Sequence, residues 1–293
     1  FDVEKNVILD EIARYEDTPS YRVYEKAMAQ FFAGHPLANS VLGTSESISA
    51  LRREQMLDYF NRRYSPTNVT VVGVGHFDFD QFVAKVARMC SHWRPYDAPR
   101  DVSPAAGCRA RGVVTDPKVL REHIVLMSPA PPGQDRARYA AQLVGAIVGD
   151  STGSRLFYAL IDPAIADEAH MSYDLLDGSG AFITFLSTDA ERSSEAIEIA
   201  QAEMKKFRDD GPTEAELQAA KNKIASGSTL KGELPMGRLT AVGFDWVYRK
   251  EYVPLGEQID TLFAVSGEDV WNVARQYDLT ASALLALGAV EKL

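Results

Sequence analysis

One pattern occurs twice in this chain of 293 residues: a helix, a tyrosine, a polar turn, an apolar strand and a glycine. The first copy runs through Tyr64 to Gly75 and the second through Tyr277 to Gly288. The tyrosine and the glycine are eleven residues apart in both copies, and the copies are offset by 213 residues (277 − 64). A supersecondary unit repeated at a fixed offset predicts two related domains in tandem.

The chain length suits two domains, each with its own core. The segment Arg94 to Gly107 is rich in proline and alanine and has no helical or strand periodicity, so it predicts a linker. We therefore expect a first domain over residues 1–95, a linker over 96–107 and a second domain over 108–293. Within the first domain, the β-branched run Val69–Val74 predicts a strand.

The repeat also predicts where the first unit begins. The second unit opens near Gly112, and the same offset of 213 places the start of the first unit about a hundred residues before Phe1. We therefore expect the first domain to be incomplete in this chain, with only its carboxy-terminal part present. A targeting segment, if there is one, would also lie upstream, so the sequence leaves the compartment open between cytoplasm and periplasm.

Charge and hydropathy exclude two classes of partner. The formal net charge is −10, which argues against nucleic acid and against an anionic membrane surface. No stretch of the sequence approaches the run of about eighteen apolar residues that a membrane helix needs. We expect neither nucleic acid nor membrane to be the main partner.

The helix predicted over Val3–Pro19 carries the residues of greatest chemical interest. Glu4 and Glu11 are seven residues apart, which is two helical turns, so they lie on one face. Two stacked carboxylates could make a metal ligand and its supporting acid, but spacing alone favours two solvated glutamates, because surface glutamate is common on helices. The offset of 213 places Leu217 and Ile224 at the corresponding positions of the second unit, and this difference favours a special role for the pair.

Several segments together resemble the pitrilysin/insulinase zinc peptidases, nearest to the bacterial processing-peptidase-like branch. The matching segments are Glu4–Ile12, Tyr15–Pro19, His35–Leu37, Leu42–Ile48 and Tyr64–Asn68. The resemblance covers essentially the whole chain and is strongest over residues 4–90. It implies an α+β fold of two metallopeptidase-like domains in tandem, each with an antiparallel-rich sheet and helices packed on one face. It also implies that the two domains enclose a chamber for a peptide.

The resemblance further implies a zinc site. The family holds Zn²⁺ with two histidines of an H-x-x-E-H helix and a distal glutamate. Carried over to this sequence, the distal ligand falls on Glu11, and Glu4 falls on a second acidic position that supports the site without binding the metal. Three protein ligands leave a position for a water whose pKa falls toward neutrality, and the glutamate of the motif would take its proton.

The sequence departs from this pattern in one respect that concerns the metal. No two of the five histidines have the H-x-x-E-H spacing; they are His35, His76, His92, His123 and His170. Arg121-Glu122-His123 contains only an E-H pair, and its place before a predicted strand indicates a surface position. The resemblance therefore places the missing histidines upstream and implies that this chain alone is inactive.

A second departure concerns the substrate. Ser154-Arg155-Leu156-Phe157 matches a family helix, after which active members often carry an arginine and a tyrosine seven residues apart. Here those positions fall on Ile161 and Glu168. His170 and Tyr173 are polar residues nearby, but an ordinary place in a strand explains them more simply.

Two functions follow from these observations. The retained Glu4 and Glu11 favour a zinc-dependent endopeptidase, which binds a peptide substrate. The absent arginine and tyrosine favour a non-catalytic family member that serves as a subunit or scaffold of a peptidase complex. Under either hypothesis, the resemblance implies a possible homodimer, or a heterodimer with a related subunit.

Overall fold

A computed structural model describes residues 1–100 and 102–293. Five strands form one sheet in the order β1-β5-β2-β4-β3. The strands are β1 (Arg111–Thr115), β2 (Glu122–Pro129), β3 (Glu168–Leu175), β4 (Gly180–Thr188) and β5 (Ala283–Gly288). β1 pairs with β5 in parallel and the other three pairs are antiparallel, which confirms the antiparallel-rich sheet.

Eleven α-helices lie in the same described residues. They are α1 (Asp2–Glu16), α2 (Pro19–Phe31), α3 (Ser45–Ala50), α4 (Arg53–Arg63), α5 (Phe79–Met89), α6 (Arg138–Gly149), α7 (Ser193–Asp210), α8 (Glu214–Glu233), α9 (Pro235–Arg249), α10 (Leu255–Ala264) and α11 (Gly267–Gln276). None of these described helices has both the length and the apolar character needed to cross a membrane.

One face of the sheet carries the main hydrophobic core. Successive side chains of a strand point to opposite faces, so Ile124 and Leu126 of β2 enter this core, while Val125 and Met127 point the other way. Helix α6 lies across this face and is apolar along most of its length, with Leu143 fully buried. Helices α7, α8, α10 and α11 complete the core. The α+β class predicted from the sequence is confirmed.

Helix α2 covers the opposite face, so helices pack on both sides of the sheet. Its apolar stripe, which includes Val23 and Phe31, is buried against β2, β4 and β5. Arg22 at its amino-terminal end forms an ion pair of 2.8 Å with Asp116, and this guanidinium holds the pKa of the Asp116 carboxyl below its usual range. At the other end, the Gln30 amide donates to the carbonyl oxygens of Ala110, just before β1, and of Leu284 in β5.

The two copies of the repeat end their helices in the same way. α4 ends at Tyr64 with φ −94° and ψ 81°, and α11 ends at Tyr277 with φ −111° and ψ 77°. In both, the tyrosine amide donates to the carbonyl oxygen four residues earlier, at 2.9 Å. The helix end predicted by the repeat is thus present twice with matching backbone geometry.

The turn after each tyrosine is also shared, but the strand after it is not. The Ser65 hydroxyl accepts from the Thr67 amide at 3.3 Å, and the Asp278 carboxylate accepts from the Thr280 amide at 2.9 Å. The following β5 pairs with strands on both sides. The run Val69–Val74 is not a strand, so that prediction is wrong, because it finds no neighbouring strand within the described residues and an isolated strand is unstable.

Two glycines of α6 give a matched test of how closely this helix approaches β3. A methyl group at Gly149 would overlap the backbone nitrogen of Met171, whereas one at Gly145 would lie 3.5 Å from the nearest atom, the Tyr173 nitrogen. We expect Gly149→Ala to lower the free energy of unfolding by about 2 kcal/mol through overpacking. Gly145→Ala should be neutral or raise it by up to about 1 kcal/mol, since alanine favours helix. Urea unfolding of both variants tests this, and equal effects would contradict the packing described.

Candidate functional site

Helix α1 carries both glutamates predicted for the metal site. Its apolar residues recur at helical spacing, and Ile12 is buried. The helix ends at Asp17, because Pro19 disfavours helix in the residue before it. The Lys5 ammonium donates to the carbonyl oxygen of Leu51 at 3.0 Å and so ties α1 to the segment between α3 and α4.

Glu4 and Glu11 lie on one face of α1 but far apart along its axis. Seven residues at 1.5 Å rise separate their Cα atoms by about 10.5 Å. An ion bound close to Glu11 would be reached by Glu4 only if the Glu4 side chain extended along the helix axis. This separation agrees with the implied division of roles, in which Glu11 binds the metal and Glu4 acts through another group.

The surroundings of the two carboxylates differ. Glu4 is exposed and lies on the wall of a groove of about 400 Å³ between α1, α3 and α4. The rest of that groove is mainly apolar, with Ile8 and Phe60 among its lining residues. Glu11 is half-buried outside the groove and forms an ion pair of 3.6 Å with Arg14, whose side chain is 71% exposed.

The residues of this chain do not by themselves fit a zinc ion. Within residues 1–100 and 102–293, no three histidine, cysteine or acidic side chains are grouped so that they could hold a metal. Zinc sites in proteins use three or four protein ligands, and α1 offers the single carboxylate of Glu11. The structure therefore places the predicted ligand on an accessible helix without placing its partners beside it.

A direct consequence is that this 293-residue chain should not bind zinc tightly. One half-buried carboxylate, already paired with Arg14, offers too few bonds to offset the dehydration of the ion. Titration with zinc by calorimetry should show only weak, non-stoichiometric heats. A one-to-one site with a submicromolar Kd would contradict the assignment of this chain as supplying a single ligand.

The two positions that match the family's arginine and tyrosine make no polar clamp. Ile161 is the last residue of a short π-helix, Phe157–Ile161, and its side chain packs against the main core. Glu168 is the first residue of β3 and is exposed. The structure gives Ile161 an apolar role, and no basic side chain occupies either position.

The polar alternatives named from the sequence, His170 and Tyr173, point to opposite faces of β3. They are three residues apart in a strand, so their side chains diverge. The exposed His170 ring lies 5.4 Å from the ring of Phe185, whereas the Tyr173 hydroxyl donates to the Pro131 carbonyl oxygen at 2.7 Å. They do not form one site, as expected of ordinary strand residues.

Glu122 corrects a prediction made from the sequence. It was expected at the surface with His123, but the structure buries it completely at the start of β2. Its carboxylate accepts from the Val290 amide at 3.2 Å, and burial raises the pKa of the Glu122 carboxyl. Burial also lowers the pKa of His123. Glu122 holds the backbone after β5, a contact between residues 168 apart that local pattern does not reveal.

Comparison with known proteins gives one family match. Residues 50–224, more than half of the chain, match the model of the peptidase M16 inactive domain. The protein named zinc protease Rv2782c from Mycobacterium tuberculosis is 26% identical over 280 residues, which cover 94% of this chain and 64% of that protein. Zinc protease YmxG from Bacillus subtilis is 25% identical over 281 residues, covering 93% and 66%. The chain thus spans about two thirds or less of these relatives.

Solved structures share the fold at lower sequence identity. A peptidase M16 inactive domain from Pseudomonas fluorescens superposes with a TM-score of 0.85 at 21% identity, over 99% of this chain and 70% of that one. A chain of complex III2 from Candida albicans gives a TM-score of 0.90 at 16% identity, over 98% and 71%. These similarities support the α+β fold alone.

Proposed function

This chain belongs to the peptidase M16 family, and on that premise we propose that it forms part of a zinc-dependent endopeptidase acting on peptides or unfolded segments. The observation that carries the proposal is the match of 94% of the chain to proteins named zinc proteases. The retention of Glu4 and Glu11 on one helix face adds to it.

In this proposal Glu11 is one zinc ligand, and two histidines of an H-x-x-E-H helix come from polypeptide outside these 293 residues. Two properties of Glu11 support the role. Its present partner, Arg14, is 71% exposed, and ion pairs at such positions are worth only about 0–1 kcal/mol, so the carboxylate is released easily. The side chain also lies outside the apolar groove and is accessible to a docking helix. When bound, the zinc would supply an acidic water as the nucleophile.

Glu4 is assigned a supporting role. It lies about 10.5 Å from Glu11 along the helix, which suits a group that acts on a neighbouring ligand and does not itself bind the ion. A carboxylate at this position can accept a hydrogen bond from a metal-binding histidine and fix the orientation of its ring, which is the usual function of such partners. Its place on the wall of the groove suits contact with a helix that enters there.

We also propose a related subunit as a partner, in a homodimer or a heterodimer. Large apolar side chains of the first hundred residues are strongly exposed, including Val3 at 74% and Met89 at 62%. Large apolar side chains that stay exposed on a folded chain are available for contact with another protein. The peptide substrate would occupy the chamber implied for the tandem domains.

A second candidate is a non-catalytic subunit or scaffold. Ile161 and Glu168 stand where active relatives carry an arginine and a tyrosine, and the matching family model describes an inactive domain. The same fold also occurs in a chain of complex III2. This candidate predicts a stable complex without peptide cleavage.

One experiment separates the two functions. A protein that unites this chain with an H-x-x-E-H segment is assayed on a mixture of unstructured fluorogenic peptides, with and without a zinc chelator. The endopeptidase should cleave, lose activity with the chelator and regain it with zinc. Absence of cleavage together with absence of bound zinc would favour the scaffold.

A further inference from the structure

A second cleft, remote in sequence from α1, lies in the other half of the chain. It has a volume of about 460 Å³ and opens between the start of α6, the end of β3 and helix α9. Arg138, Tyr139, Tyr173 and Tyr248 are among its lining residues. A neighbouring lobe of about 480 Å³ is also lined by Arg138, Tyr139 and Tyr248. The cleft therefore combines the partly exposed cation of Arg138 with several aromatic rings.

One wall of the cleft is held rigidly around Arg249. This side chain is only 8% exposed, pairs with Asp245 and donates to the carbonyl oxygen of Gly133 at 3.4 Å. Asp245 also accepts from the Gln258 amide at 2.7 Å, so its carboxylate is already occupied. The Nε of Arg249 is buried and finds no hydrogen-bond acceptor in the part of the chain that the structure describes. The nearest charged partner of this Nε is the Glu251 carboxylate, which lies 3.7 Å away and forms an ion pair with it.

Arg138 presents the free positive charge. Its guanidinium stacks over the Tyr139 ring at 4.4 Å and donates to the Tyr139 hydroxyl and to the Asp135 carbonyl oxygen, both at 3.2 Å. Among residues 1–100 and 102–293 no carboxylate forms an ion pair with it. The stacking fixes the plane of the guanidinium and leaves further N–H groups for an acceptor.

The rest of the cleft combines apolar side chains with Gln142, Gln258 and Asp245, whose carboxylate is taken up by Arg249 and Gln258. Leu175 is 41% exposed and Phe244 is 52% exposed at its rim. An oriented guanidinium beside aromatic and aliphatic walls is suited to a planar anion carried on an apolar group, because arginine binds carboxylates through paired N–H···O bonds. We propose that this cleft binds a carboxylate carried by a peptide, with Arg138 as the group that recognises it.

The choice of a peptide as carrier rests on the proposed function, whereas the carboxylate follows from the cleft alone. The test is a binding assay with the 293-residue chain and no zinc, so failure of peptide cleavage does not decide it. Three tetrapeptides based on alanine and phenylalanine serve as probes in fluorescence anisotropy, each with an amino-terminal dansyl label that carries no carboxylate. The first has a free terminal carboxylate, the second a terminal amide, and the third a terminal amide with an internal glutamate.

We expect saturable binding of a carboxylate-bearing probe at least about tenfold tighter than that of the neutral amide. The first and third probes distinguish a terminal from an internal carboxylate. Arg138→Gln should weaken binding of the carboxylate probe about tenfold. Arg138→Lys should weaken it less, because lysine keeps the positive charge but does not form the two parallel N–H···O bonds of arginine. Arg109→Gln, at an exposed arginine outside the cleft, is the matched control and should bind as wild type.

Equal affinity for the acid and amide probes, or unchanged affinity in Arg138→Gln, would overturn the proposal. The acid-against-amide comparison uses the wild-type chain, so the result does not depend on the folding of any variant. Near-ultraviolet circular dichroism of Arg138→Gln shows whether its loss of binding is local.

Discussion

Replacing Glu11 with glutamine is expected to remove zinc and to lower kcat/KM for peptide cleavage by at least about 100-fold in a protein that unites this chain with an H-x-x-E-H segment. An amide oxygen is uncharged and binds a metal more weakly than a carboxylate does. The loss should appear in both metal content, measured by mass spectrometry, and cleavage of a fluorogenic peptide.

Two variants of the same helix act as controls for this result. Glu4→Gln should keep more zinc than Glu11→Gln but lose about 10–100-fold in activity, as expected of a group that orients a ligand. Glu16→Gln, at an exposed glutamate on α1, should retain both metal and activity. Wild-type zinc content and activity in Glu11→Gln would exclude Glu11 as a ligand.

Replacing Phe31 with alanine is expected to lower the free energy of unfolding by about 3–5 kcal/mol, the usual cost of removing a buried phenylalanine. Phe31 is 1% exposed and lies in the core between α2 and the sheet, where Gly107 packs directly on its ring. Its carbonyl oxygen also accepts from the Cys108 amide at 2.7 Å, so the site joins α2 to the strand region.

The matched control for this variant is Phe79→Ala, at a phenylalanine that is 67% exposed. It should change the unfolding free energy by less than about 0.5 kcal/mol, the usual range for surface sites. Urea unfolding followed by circular dichroism measures both variants. A similar loss of unfolding free energy in both variants would show that α2 does not pack on the sheet in solution.

Local sequence pattern predicts much of the fold. The apolar periodicity of Val3–Pro19 predicts a helix, and the structure has one there, α1. The repeat predicts the shared end of α4 and α11, because a tyrosine followed by a polar turn stops both helices in the same way. These features depend on residues within one or two turns of each other.

Features that depend on distant residues are not predicted. The packing of α2 on the second face joins Arg22 to Asp116 across 94 residues, and neither residue stands out in the sequence. The burial of Glu122 depends on the backbone after β5. The run Val69–Val74 has strand composition, yet whether it pairs depends on neighbours that composition does not supply.

The candidate site likewise has features that the local sequence predicts and features that it does not. The spacing of Glu4 and Glu11 places them on one helix face, but only the resemblance to a peptidase family distinguishes a ligand from a solvated glutamate. The sequence does not reveal the cleft at Arg138, because its walls come from α6, β3 and α9, which are far apart along the chain. No motif of fixed spacing marks such a site.

The most direct test of the central claim is to locate the metal itself. Crystals of a protein that unites this chain with an H-x-x-E-H segment, measured at the zinc absorption edge, give an anomalous difference map. The account predicts one peak within about 2.0–2.2 Å of a carboxylate oxygen of Glu11, with Glu4 outside the coordination sphere. A fully coordinated zinc peak whose protein ligands do not include Glu11 would contradict it.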